Sequence, residues 1–239
     1  MIVIKILVAC EESQRVTLEL RRLGHEAYSC DIEPCSGGHP EWHLQQDVLP
    51  LLQKKWDMII AFPPCTYLSN AGACHLWRGG VLNEERYRKG LEAKEFFLSI
   101  LHADCPRIAV ENPISSKIYE MPAHTQTIHP WQFGHPVQKK TRLWLKGLPL
   151  LEPTQIVTPT QSCHDAHTWF SKGEKTGRKT EQKHFPALLG LWQNNGHAAP
   201  LRSQRSLSRR HKSFSTFGCS SIPKARLDRI GQTATRRDV

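Results

Sequence analysis

Apolar residues come in short runs that stop abruptly on polar residues or prolines. Ile2 to Ala9 is an aliphatic run broken only by Lys5, the pattern of a strand buried on both faces. Behind it, Val16, Leu20 and Leu23 recur at i, i+4 and i+7, with Arg15, Glu19 and Arg22 between them. This spacing predicts an amphipathic helix, capped by Ser13 and ended by Gly24. Glu26 to Cys30 reads as a second strand ending on Asp31. Gln46-Asp47-Val48 falls where a third would end, and Asp57 to Phe62 is a fourth. Asn83, followed by Glu84 and Glu85, predicts the start of a long helix. Its buried face would be Gly90, Ala93, Phe97, Ile100 and Leu101. Arg107 to Val110 and Arg142 to Leu145 read as two further strands, and Phe185 to Gln193 as a closing helix. From Leu148 to Gln182 the chain is polar and Thr-rich, without clear periodicity. Strands alternating with helices predict an α/β fold with a mostly parallel, doubly wound sheet.

In such a sheet, ligands sit beyond the carboxyl ends of the strands. The fourth run stops on Pro63-Pro64-Cys65, and the run at Arg107 stops on Glu111-Asn112-Pro113. A thiol and a carboxylate at the tips of two strands suit covalent chemistry on a ring that needs protonation. Cytosine is such a ring.

Charge narrows the picture less than its total suggests. The 239 residues carry a formal +10. Beyond Asn195, however, ten Lys and Arg face only Asp228 and Asp238, which leaves +2 for everything before. The expectation is a near-neutral domain over residues 1–195 and a basic, disordered tail over 196–239. No stretch approaches the ~18 apolar residues of a membrane helix. The first residues read as a strand rather than a signal peptide. Eight cysteines without an export signal read as reduced thiols in a cytoplasm. The reading is a cytoplasmic, monomeric protein with no membrane partner.

The order of the polar strand ends resembles the cytosine carbon-5 DNA methyltransferases. Val8-Ala9-Cys10-Glu11, Pro63-Pro64-Cys65-Thr66-Tyr67-Leu68, Glu111-Asn112-Pro113, Phe133-Gly134-His135-Pro136 and Leu143-Trp144-Leu145-Lys146-Gly147-Leu148-Pro149 look like the short, phage-type branch of that group. The resemblance covers about Ile4 to Gln193, and a phage-encoded member would work in the host cytoplasm. It implies a Rossmann-like, S-adenosylmethionine-dependent methyltransferase fold acting on DNA.

The resemblance also implies roles. Carbon 5 of cytosine is a poor nucleophile until a thiolate adds to carbon 6. Cys65 would be that thiolate, and with a reference pKa of roughly 8.5 it needs help to ionise. Glu111 would hold ring N3 and the exocyclic amine. Arg142 would meet the exocyclic oxygen, buttressed by Gln138 and Lys140. The target base must first leave the duplex. Asp31 would bind the ribose hydroxyls of S-adenosylmethionine, Ile32 would pack on the adenine, and Asp47 would accept from its amino group. Ala9, Cys10, Glu11 and Pro63 would line the same site.

The chain also departs from the family. The first turn reads Ala9-Cys10-Glu11-Glu12-Ser13, where the family has glycines that let a backbone approach the cofactor. Thr66 stands in place of Gln, Pro113 in place of Val and Lys140 in place of Arg. Residues 148–184 form only a reduced target-recognition segment. Two other readings stay open: cytosine modification with another donor or on a free nucleotide, and a silent nucleic-acid binder that kept the fold.

Several residues have plainer readings. Cys10, Cys30, Cys74 and Cys105 read as small buried hydrophobes. Trp131, Phe133 and Trp144 read as core. Trp77, beside Arg78 on a predicted loop, is the better placed to meet a base. Cys30, Cys35, His39 and His43 have a spacing that invites zinc, but Asp31 and a Gly-Gly turn interrupt it, and no metal is expected.

Overall fold

In a computed structural model, which describes residues 2–162, the apolar runs form the centre of one seven-stranded sheet. Its strands are β1 (Lys5–Ala9), β2 (Glu26–Asp31), β3 (His43–Gln45), β4 (Met58–Ala61), β5 (Ile108–Pro113), β6 (Gln126–Ile128) and β7 (Thr141–Lys146). They lie in the order β3-β2-β1-β4-β5-β7-β6. All run parallel except β7, which is antiparallel to both β5 and β6. The fold is therefore α/β with a mostly parallel sheet. The closing helix at 185–193, most of 148–184, the boundary at 195 and the basic tail lie outside the described residues.

Both faces of the sheet are covered, which is why its inner strands are continuously apolar. Helix α1 (Arg15–Arg22) places Val16 and Leu20 against Ile6, Val8 and Ile60. A short helix, α2 (Asn70–Ala73), follows β4. Helix α3 (Glu84–Leu101) places Phe97 and Ile100 against Leu7, Ile59 and Ile108 on the opposite face. Asn83 caps α3, its Oδ1 accepting from the Arg86 N–H at 3.0 Å. Of the face expected for α3, Gly90, Phe97 and Ile100 are buried, while Ala93 and Leu101 are only partly so.

Four local expectations are corrected. Ser13 does not cap α1. The cap position is Gln14, in a left-handed conformation and without a side-chain cap bond. The strand at Ile108 does not stop at Val110 but carries Glu111, Asn112 and Pro113 within it, because β7 pairs with all three. Cys74 is exposed, not buried. Trp77 lies on a hairpin, not a loop: Trp77–Arg78 pairs with Val81–Leu82 across Gly79-Gly80, where both glycines have positive φ.

Candidate active site

The carboxyl ends of four adjacent strands meet at one edge. Ala9 is in register with Cys30 on one side and Ala61 on the other, and Ala61 with Val110. The next residues along, Cys10, Asp31, Phe62 and Glu111, therefore emerge together. In an open α/β sheet this is the crevice where ligands bind.

The first turn is built without glycine but keeps glycine-like geometry. Cys10 has φ +59°, a left-handed conformation that costs an ordinary residue about 1–2 kcal/mol. Glu11 is wholly buried. Its carboxylate turns into α1, accepting from Val16 N–H at 2.6 Å, Thr17 N–H at 3.2 Å and Thr17 Oγ1 at 2.7 Å. This explains how α1 dispenses with a Ser13 cap. Burial pushes the Glu11 carboxyl up to about 7, against the lowering effect of those hydrogen bonds. These N–H groups are where a dinucleotide fold receives a pyrophosphate. Here they are engaged by the chain's own acid, which argues against a dinucleotide at this turn.

A loop from β2 is fastened across the same turn. Gln14 exchanges two bonds with the His39 backbone, accepting at 3.0 Å and donating at 2.7 Å. Ser36 bonds Glu12 through both its N–H, at 2.9 Å to the backbone carbonyl, and its hydroxyl. At Gly37 a Cβ would stand 2.5 Å from the Gln14 Cβ, so only glycine allows this approach.

At the β2 end, Asp31 is 5% exposed and accepts from Glu33 N–H at 3.1 Å. Ile32, next to it, is 67% exposed. A carboxylate beside a bare aliphatic surface fits a ribose diol and a purine face, so these residues suit the adenosine part of S-adenosylmethionine. Asp47 is exposed, and its Oδ1 caps the turn at Leu49 N–H, 3.0 Å away. Cys30, His39 and His43 have other engagements. The Cys30 thiol donates to the Gln46 carbonyl and is pushed up to about 12, chiefly by burial. His39 meets Glu41, and the His43 ring lies between Ser29 and the Glu33 carbonyl. Among the described residues, no group of three or more His, Cys, Asp or Glu is arranged to hold a metal.

Beyond β4, Pro63 is buried, and Pro64 and Cys65 are half-buried. The Cys65 carbonyl starts a tight turn, accepting from Leu68 N–H at 3.1 Å and Ser69 N–H at 2.9 Å. The loop is then tied to the chain leaving β5. Asn70 N–H donates to the Ile114 carbonyl at 2.8 Å, and Ser116 N–H to the Leu68 carbonyl at 2.7 Å.

Glu111 is 2% exposed and Asn112 fully buried. Glu111 stands opposite Leu143, and Asn112 opposite Arg142. Directly paired residues share a face and neighbours alternate, so Glu111 and Arg142 leave opposite faces of the sheet. Arg142 lies on the α3 side, together with Trp144. There, its charge and the burial of His124 hold that imidazole below its usual range, burial being the larger cause. Gln138 and Lys140 are exposed, and Val137–Gln138 pairs with Gln161–Ser162. The structure thus brings Cys65, Glu111, Asp31 and the first turn to one edge, and sets Gln138, Lys140 and Arg142 around its flank. Sequence reading missed Arg86, whose guanidinium lies against the Cys65 loop. An arginine in the first turn of a helix gives no signal of that contact.

No family model and no curated protein matches the chain. Solved structures do. A prophage-encoded E. coli protein named as a DNA modification methyltransferase is 13% identical, with a TM-score of 0.42 over 65% of this chain and 52% of that one. An Entamoeba histolytica methyltransferase is 12% identical, with a TM-score of 0.41 over 66% and 58%. The S. pombe Dnmt2 methyltransferase is 12% identical, with a TM-score of 0.38 over 74% and 57%. The chain thus spans little more than half the length of each. The likeness is one of fold alone.

Proposed function

We propose that the chain transfers a methyl group to carbon 5 of cytosine in DNA through a covalent adduct at Cys65. The observation that supports this most is the tie between the loop that begins at Cys65 and residues 114–116, just beyond the strand end that carries the buried Glu111. In this reading the Cys65 thiolate forms a bond to carbon 6, and Glu111 places a proton on ring N3 as the electrons move into the ring. Carbon 5 thereby becomes nucleophilic. S-adenosylmethionine, when bound, supplies an electrophilic methyl group, and Asp31, Ile32 and Asp47 would hold its adenosine part. Ring N3 then returns its proton to Glu111, a base takes the proton from carbon 5, and the electrons of that C–H bond re-form the double bond to carbon 6 and expel Cys65. Since Arg142 and Glu111 leave opposite faces, Arg142 would have to reach the exocyclic oxygen round the end of β5, with Gln138 and Lys140 buttressing it from the exposed rim.

The occupied N-terminus of α1 favours a second reading, in which the same adduct serves another one-carbon donor. One experiment separates the two. The full chain is incubated with labelled S-adenosylmethionine and cytosine DNA, and the digested bases are weighed by mass spectrometry. The first reading gives labelled 5-methylcytosine. A change of mass that appears only with another donor gives the second. DNA carrying 5-fluorocytosine should trap the wild type covalently, since fluorine cannot leave as a proton does. Cys65→Ser should trap nothing, because its hydroxyl does not ionise at neutral pH. A trapped serine variant would remove Cys65 from the chemistry.

A further inference from the structure

The Cys65 loop is pinned on one side by backbone bonds to residues 114–116. On its other side the pin is a side chain. Arg86, in the first turn of α3, sends its guanidinium across the loop. Nη2 donates to the Thr66 carbonyl at 3.3 Å and to the Gly72 carbonyl at 3.0 Å, and Nε donates to Gly72 at 3.3 Å. The guanidinium carbon also lies 5.0 Å from the centre of the Tyr67 ring. One rigid fork thus grips the residue after Cys65, stacks on the next, and holds the far end of the same loop.

The backbone is shaped for this grip. A Cβ on Gly72 would lie 2.0 Å from the Thr66 carbonyl oxygen, so the two limbs of the loop close on each other only because residue 72 is glycine. Arg86 then joins the two carbonyls that this closure brings together. Its own backbone is fixed by the Asn83 cap. Among the described residues, no Asp or Glu makes a salt bridge with Arg86, so its charge goes to the loop carbonyls. Arginine suits this task, since its planar donors are pre-organised, whereas a lysine ammonium is a single point.

We propose that Arg86 is a positioning residue for Cys65, holding the Pro64–Gly72 loop in the shape that delivers the thiol to its substrate. The role of Cys65 rests on the cytosine reading, but the clamp itself does not. The test uses the full chain as wild type, Arg86→Ala and Arg86→Lys, with backbone hydrogen exchange read by mass spectrometry. In the alanine variant, amides across Thr66 to Ala73 should exchange about tenfold faster, with β1 and β4 unchanged. Lysine should fall between. With 5-fluorocytosine DNA and S-adenosylmethionine, the alanine variant should trap about tenfold more slowly at saturating DNA. Half-saturation should move less than twofold, a split that general destabilisation would not produce. Unchanged exchange over 66–73, a rise shared with β1 and β4, or wild-type trapping from a loosened loop would each overturn the proposal. If the wild type traps nothing while the exchange pattern appears, the reading with S-adenosylmethionine as donor fails and the clamp stands.

Discussion

Glu11 should make this protein lose stability as pH rises through the weakly acidic range. Its carboxyl is fully buried, and its value in the fold is about 7 against an ordinary 4.5. Between those two values the unfolded chain releases the proton and the folded chain keeps it. The folded state then binds more protons than the unfolded one, so stability falls with rising pH. The effect is absent below about pH 4.5 and complete above about pH 7. At about 1.36 kcal/mol for each pH unit of that gap, it comes to about 3 kcal/mol.

Glu11→Gln isolates the effect. A glutamine oxygen can accept from Val16 N–H, and its amide can donate to Thr17 Oγ1, which removes the titration but gives up the acceptor that Thr17 N–H meets in the wild type. Relative to the wild type, the variant should gain about 3 kcal/mol between pH 4.5 and pH 8, whatever pH-independent offset the lost Thr17 bond adds. For a chain of this size that is about 6–12 °C in melting temperature. Urea denaturation followed by circular dichroism from pH 4.5 to 8 measures it, and every other titrating group cancels in the comparison. Parallel stability curves for the two proteins would refute the argument.

Two further outcomes follow from the same geometry. Glu111→Gln keeps the shape of the side chain but not its acid proton, so trapping by 5-fluorocytosine DNA should slow by about 10²–10⁴ with DNA affinity unchanged; a wild-type rate would exclude the proton role. Gly90→Ala should destabilise by about 1–3 kcal/mol through overpacking, despite the better helix propensity of alanine, because the new Cβ would stand 2.2 Å from the Tyr119 ring, itself 1% exposed. A more stable variant in urea would show that the ring gives way.

The parts of the fold that were legible in sequence are those where one physical cause dominates. β1, β4 and the first part of β5 are buried on both faces, so their composition alone betrays them. α3 announces itself through Asn83 and two acids, which answer its unpaired N–H groups. β6 escaped because Gln126, Thr127 and Ile128 are too few and too polar to show a period, and exist as a strand only through β7. The α1 cap was misread because Ser13 is the usual residue type there, whereas the N–H groups are met from Glu11, outside the helix. In the candidate site, the positions of Cys65 and Glu111 at strand ends were legible because prolines mark those ends. That Glu111 and Arg142 leave opposite faces depends on the register of β7, which no local pattern encodes. Arg86 was invisible because its partners are carbonyls, which every residue has.

The glycine-poor first turn can then be separated into what glycine does for the backbone and what it does for a ligand. The backbone task is met by other means. Cys10 and Gln14 both take left-handed conformations, at φ +59° and +56°. The strain is held by the Glu11 N–H on the Cys30 carbonyl at 3.0 Å, by the paired bonds of Gln14 with His39, and by Ser36 on Glu12. The ligand task is not met in the same way. Cys10 keeps a side chain where glycine has none, the β2 loop lies over residues 12–14, and Glu11 already occupies the N–H groups of α1. Little is left at this turn with which to grip a donor's charged end. Under the proposed function, recognition of a donor would then fall to the β2 end, where Asp31 and the bare surface of Ile32 stand together. A donor held there would be chosen by its nucleoside half, and the group it transfers would be the half this turn leaves least specified.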